Sequence, residues 1–413
     1  MSEIERAVTD AHRREWAYVL AATVRVTRDV DAAEEAVQDA YVQALRTWAR
    51  DGVPDRPGAW LTTVARRNAL NSARSRRTFE SKLPLLLEPC ATEMPEPPDP
   101  DAIPDDRLRL IFTCCHPALA QEAQIALTLR LVCGVPTPDI AQAFLVAEAT
   151  MAARLTRAKK KIATARIRYA VPSAAERPER VDAVLTVIHL LHSAGHTAHS
   201  GTALVRDELT GRALDLARLL RRLLPEEREA AGLLALLLVH EARRATRTDP
   251  EGRLLRLEEQ DRSAWDRELI AEADRLVVAA LRAGPPGRFT LQAAIAALHA
   301  QAPSYADTDW PQITLLYDEL LRVWPSPVVA LNRAVAVSMT DGPEAALAEV
   351  ERLERDGRLA GYRYLPATKA DLLHRLGRDS EAVAAYRDAL ALTGNAAEQE
   401  FLTGRVRSMQ RGQ

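Results

Sequence analysis

Residues 137–162 read TPDIAQAFLVAEATMAARLTRAKKKI. Residues 139–144 suit a short helix, 145–148 a turn, and 149–162 a second, longer helix. Ile140, Ala143, Met151, Leu155 and Ala158 fall where a helix-turn-helix buries its contacts. Glu148, Thr150 and Arg154 stand near the start of the second helix, and Arg157, Lys159, Lys160 and Lys161 follow. That is the layout of a recognition helix, whose first turns meet base edges while its basic flank meets phosphates. An ordinary helical hairpin with a solvated basic face has the same composition.

Upstream, residues 60–77 contain five arginines and no acid. A helix there can bury Leu61, Val64, Ala65 and Ala69 while Arg67, Arg74 and Arg77 project outward. Such a face suits a phosphate backbone, with Arg76 beside it and with Trp60, Asn68 and Asn71 in reach of bases. Before it, residues 31–48 carry a helical apolar stripe (Ala33, Val37, Tyr41, Ala44, Leu45, Trp48), with Asp31 as the expected cap. Asp31, Glu34, Glu35, Gln38 and Asp39 give that helix an acidic face. Between the two basic blocks, residues 83–106 hold seven acids and no lysine or arginine. The prolines of 78–104 exclude a long helix, so this span is expected to be an extended acidic linker.

The bulk composition agrees with a helical, globular protein. The 413 residues are 47% hydrophobic, 27% charged and only 5% aromatic, with a net charge of −2. Alanine, leucine and arginine predominate, all strong helix formers, and period-two runs of β-branched residues are missing. The expected fold class is all-α. No signal peptide or membrane-length apolar run is present, which predicts a cytoplasmic chain with reduced thiols. Cys90, Cys114, Cys115 and Cys133 lack the paired spacing of a zinc site.

Four separated motifs, in order, resemble an extracytoplasmic-function sigma factor with a long C-terminal extension. DAAEEAVQDAY (31–41) resembles the polymerase-binding helix of region 2, and residues 60–77 its −10-engaging part. LRLIFTCCHP (108–117) resembles the start of region 4, and residues 137–162 its −35 reader. Asn71 departs from the family pattern, standing where many members have aspartate. The resemblance implies core RNA polymerase and double-stranded promoter DNA as partners, promoter-specific transcription initiation as the function, and no enzymatic chemistry or cofactor. It assigns polymerase contacts to Asp31, Glu34, Glu35, Gln38 and Asp39. It assigns −10 contacts to Trp60, Arg67, Asn68, Asn71, Arg74, Arg76 and Arg77, and −35 contacts to Glu148, Thr150, Arg154, Arg157, Lys159 and Lys160. The expected domains are 1–77 (region 2), 78–104 (linker), 105–169 (region 4) and 178–413 (helical extension).

Near the end of the extension, residues 331–336 align with 367–372 and Ala346 with Ala382, a 36-residue offset. Small residues with Tyr386 and Ala389 have the spacing of a tetratricopeptide helix pair, so 328–395 is expected to be tetratricopeptide-like. A protein or peptide partner and a regulatory role in cis suit such a surface. His189, His192, His196, His199 and His240 offer i,i+3 and i,i+4 spacings, but no HExxH occurs, and no metal is expected. Two rival readings stay open. One is a stand-alone helix-turn-helix regulator with a helical sensory domain; the other is a metal-dependent helical enzyme built on the histidines.

Overall fold

A computed structural model describes residues 3–80, 106–144, 146–173, 175–197, 200–201 and 207–411, with side chains for all of these except 13, 73–80, 142–143 and 200–201. It divides into two compact units, 1–188 and 189–413. The structure is helical almost throughout, as expected; among the described residues the β pairing is a two-residue parallel ladder (Ser200 with Gly394, Gly201 with Asn395) and one isolated antiparallel bridge between Thr248 and Leu254.

The first unit opens with α1 (Glu3–Thr27), α2 (Val30–Asp51) and α3 (Pro57–Glu80), each packed against the other two. Their shared core takes Val19, Leu20, Ala33, Val37, Ala40, Ala44, Trp48, Leu61 and Ala65, all essentially inaccessible. Asp29, not Asp31, caps α2: its carboxylate accepts from the backbone N–H groups of Asp31 and Ala32 at 2.9 and 3.1 Å. Asp31 instead occupies the first helical turn, where a carboxylate also suits the helix dipole. The linker lies outside the described residues, apart from residues 78–80, which continue α3.

α4 (Asp106–Cys114), α5 (Gln121–Leu127) and a π-helical turn (Thr128–Val132) lead to α6 (Thr137–Phe144) and α7 (Glu148–Thr164). Ile140, Met151, Leu155, Ala158 and Ile162 are buried, so the α6–α7 pair folds on the stripe that its spacing predicts. Ala143's side chain and Leu145 lie outside the described residues. Each fully buried Leu, Ile or Met contributes roughly 1.5–3 kcal/mol relative to exposure. Gly134 turns the chain into α6 with φ +67, and a Cβ there would meet the Trp16 ring 2.9 Å away. That indole donates from Nε1 to the Leu131 carbonyl at 3.0 Å, tying α1 to the π turn. The Tyr169 hydroxyl lies 3.0 Å from the carbonyl oxygens of both Ala21 and Asp106.

α8 (Arg177–His196) begins in the first unit, where Arg180 donates to the Phe112 carbonyl at 2.5 Å. Its residues from His189 onward belong to the second unit. There follow α9 (Asp207–Leu223), α10 (Arg228–Ala242), α11 (Arg267–Arg282), α12 (Arg288–Gln301) and α13 (Trp310–Val323). α10 is apolar all round and buried from Ala230 to Val239, surrounded by α9, α11 and α12. Gly232 allows the closest approach, since a Cβ there would lie 2.6 Å from the Thr290 backbone nitrogen. Glu229 of α10 caps the neighbouring helix α12, accepting from the N–H groups of Gly287 (3.1 Å), Phe289 (2.7 Å) and Thr290 (3.3 Å).

The chain closes with α14 (Pro327–Thr340), α15 (Pro343–Asp356), α16 (Tyr364–Arg375), α17 (Asp379–Ala391) and α18 (Ala396–Arg411). Ala334, Ala346, Ala370 and Ala382 are all fully buried in one cluster with Tyr386 and Ala389. The 36-residue offset therefore corresponds to two successive helix pairs, α14–α15 and α16–α17, with alanines where the helices meet.

Candidate polymerase and nucleic-acid interface

α2 presents Asp31, Glu35, Gln38 and Asp39 to solvent, while Ala33, Val37, Ala40 and Tyr41 hold the helix to the core. Glu34 differs from the other acids. It is only 6% exposed, and it pairs with Arg130 of the π turn and with Lys159 of α7, the latter at 2.7 Å. Lys159 also reaches Asp31 at 2.8 Å. Burial works against the Lys159 ammonium, but its bonds to Asp31 and Glu34 outweigh it, so the group is held above its ordinary range. Two residues assigned to polymerase and one assigned to DNA thus bond to each other within the first unit.

On α3, Arg67 and Asn71 are exposed, and Trp60 and Asn68 are half-buried. Trp60 rests edge-on against Trp48, with ring centroids 5.6 Å apart, so its position is fixed by the core. The side chains of Arg74, Arg76 and Arg77 lie outside the described residues. On α7, Glu148, Thr150, Arg157 and Lys160 are exposed. Arg154 is engaged: it bonds Glu122 at 3.0 Å and lies 5.8 Å from the Phe144 ring centroid.

The end of α7 borders a cleft of about 1180 Å³ whose basic lining is Arg25, Arg28, Lys159, Lys160, Arg166 and Arg168; Asp29 and Asp31 also face it. Arg28 and Arg166 have left-handed backbones, φ 54 and 49. Sequence reasoning missed Arg25, Arg28 and Arg130, which lie outside both basic blocks and join this region only through folding. Cys114 and Cys115 are buried free thiols; burial pushes Cys115 up to about 12 and Cys114 well above the usual range. Neither is poised as a thiolate at neutral pH.

Residues 11–79 match Sigma-70 region 2, and residues 109–162 match Sigma-70, region 4. The first span covers most of the α1–α3 bundle, and the second contains the helix-turn-helix of residues 137–162. The chain belongs to the sigma-70 family. It is an extracytoplasmic-function-like sigma factor with a C-terminal extension. Residues 180–281 of this sigma factor match a family of unknown function (DUF6596). An uncharacterized protein of Rhizobium meliloti (strain 1021) is 46% identical over 388 residues, spanning 93% of this chain and 91% of that protein. The likeness therefore includes the extension as well as the two sigma regions. A stand-alone regulator needs only residues 109–162; the region 2 match supplies the polymerase-binding half, and with it a role in promoter-specific transcription. No helix among the described residues is long and apolar enough to cross a membrane.

The second unit holds a separate group of imidazoles, with His192 buried and His189, His196 and His240 partly buried. Burial, with Arg288 nearby, pushes His189 down to about 4. Burial, with His189 and Arg247, pushes His192 to about 3. Burial, with neighbouring arginines and histidines, also holds His196 and His240 well below the ordinary histidine range. His199 lies outside the described residues.

Proposed function

We propose that Asp31, Glu35, Gln38 and Asp39 form the polymerase-docking face of this sigma factor. α3 engages the −10 element through Trp60, Arg67, Asn68 and Asn71, with Arg74, Arg76 and Arg77 on the phosphates. α7 reads the −35 element through Glu148, Thr150 and Arg154, with Arg157, Lys159 and Lys160 on its backbone. The observation that carries this reading is the exposed acidic face of α2 in the same compact unit as the exposed basic face of α7. Acidic docking surfaces set orientation and association rate more than raw affinity. Base-reading side chains supply discrimination once phosphate contacts have fixed the register.

The Lys159 bonds to Asp31 and Glu34 add a condition. Lys159 cannot hold a DNA phosphate while it holds these carboxylates, and Asp31 cannot be presented in full to polymerase. Binding of polymerase and promoter must therefore exchange these bonds for intermolecular ones. The helical extension regulates or supports the sigma core in cis.

Purified chain is to be mixed with core polymerase, with and without promoter DNA. The expected result is a complex that the substitutions Glu35→Lys and Asp39→Lys weaken together at least ~10-fold, as for lost charge complementarity. Binding unaffected by both substitutions would remove α2 as the docking face. A truncated chain for testing the extension must keep residues through Ile188, because Arg180, Val181, Val184 and Leu185 are part of the first unit.

A further inference from the structure

His192 and His196 lie one turn apart at the end of α8, and His240 lies near the end of α10. Their donor atoms, one from each ring, lie within 4.8 Å of one another. The ring centroids are 5.2 Å apart for His192–His196, 5.2 Å for His192–His240 and 4.7 Å for His196–His240. His192 is only 2% exposed.

Simple packing of three imidazoles leaves one fact unexplained. The Nδ1 atom of His240 is buried and has no hydrogen-bond partner among the described residues. An orphaned buried polar atom is costly unless a ligand or water satisfies it. Three neutral imidazoles, two from one helix face and one from a neighbouring helix, form a ligand set that borderline-soft dications favour.

The surrounding charge is unusual for a cation site. Arg243 and Arg247 act electrostatically on His196 and His240. Arg247 donates to the His196 carbonyl and, at 3.1 Å, to the Thr197 hydroxyl. The Nε of Arg243 is buried without a partner among the described residues. Two guanidinium groups oppose a bare dication, and a small anion in the fourth coordination position removes that opposition. Three histidines with an open fourth position is also the ligand count that leaves room for such an anion.

We infer that His192, His196 and His240 bind a divalent transition metal, zinc being the best match, with an anionic fourth ligand held by Arg243 and Arg247. The site belongs wholly to the second unit, and it is independent of the polymerase and DNA contacts proposed above. Zinc there would join the end of α8 to the end of α10.

The test uses the full-length chain. Its zinc content is measured as purified and after chelation and refilling with zinc alone. Stoichiometric, refillable zinc is expected, and X-ray absorption should show nitrogen ligands without sulfur. His196→Gln and His240→Gln should each weaken zinc binding by more than ~100-fold, exceeding the usual loss from an outer-shell change. Circular dichroism of each variant reports folding, and the wild-type absorption spectrum needs no variant. Zinc far below stoichiometry after refilling, sulfur in the coordination shell, or undiminished binding in folded variants would overturn the assignment. With cobalt in place of zinc, azide should shift the absorption of the wild-type chain and shift that of Arg243→Gln less. A wild-type spectrum indifferent to azide would overturn the anionic fourth ligand.

Discussion

Lys159 shows how one side chain can serve two surfaces. Its position on α7 behind Arg157 marks it as a phosphate contact, yet it reaches Asp31 and Glu34, which lie 128 and 125 residues away. No local pattern carries that pairing. The same holds for Glu34, whose place in the acidic run predicts exposure but whose partners, Arg130 and Lys159, come from two later elements. Removing one partner of a buried ion pair costs about 3–5 kcal/mol. Because Arg130 still holds Glu34, Lys159→Ala should destabilise the first unit near the lower end, about 3 kcal/mol, as measured by urea unfolding. An unchanged midpoint would mean that solvent already screens the pair. At Glu229, the carboxylate supplies the cap that Gly287 lacks at the start of α12. Glu229→Ala should therefore cost about 2 kcal/mol, since a lost cap and several charge-assisted bonds act together. Thermal unfolding would register this as a lowered midpoint; no shift would show that water replaces the carboxylate.

At the scale of elements, the helix-turn-helix was the most legible part of the chain. Ile140, Met151, Leu155 and Ala158 have helical spacing, and the structure buries each of them. The alanines of the repeat were legible for the same reason: close helix approach demands small side chains at fixed intervals. The start of α2 was not, because Asp29 and Asp31 are both chemically able caps and only the backbone distinguishes them. The histidines were visible in the sequence, but their convergence was not: His240 lies on α10, a largely apolar helix, and no spacing shows that it meets His192 and His196 of α8. The exposed basic face of α7 yields a salt prediction. Lys160→Ala should weaken promoter binding about equally across sequences and reduce the salt slope by about 1, as for one lost phosphate contact. Thr150→Ala should instead alter discrimination among −35 sequences with little change in slope. If both variants behaved alike in a salt titration, α7 would not divide its work between bases and backbone.

For the whole molecule, the partly buried imidazoles of the second unit set a pH response. His189 is held at about 4 by burial and Arg288, and His299 at about 4 by burial, Arg243 and Arg262. An unfolded histidine titrates near 6.5. Between those values the unfolded chain binds more protons than the folded one, so stability falls as pH is lowered. The second unit should thus be fully stable above about pH 6.5 and lose stability progressively down to about pH 4. Helical signal followed in urea at several pH values checks this, and a flat profile across the window would contradict it. The chain divides into a first compact unit that carries both sigma-70 matches and a second unit that carries most of the 180–281 match to a family of unknown function.

The most direct measurement is reconstituted transcription with purified chain, core polymerase and fragments of the host genome. Transcripts that start at defined promoters only when the chain is present, and that weaken with Glu35→Lys plus Asp39→Lys and separately with Arg157→Ala, are the predicted result. A chain that fails to associate with core polymerase, or that adds no promoter-specific transcript, would contradict it.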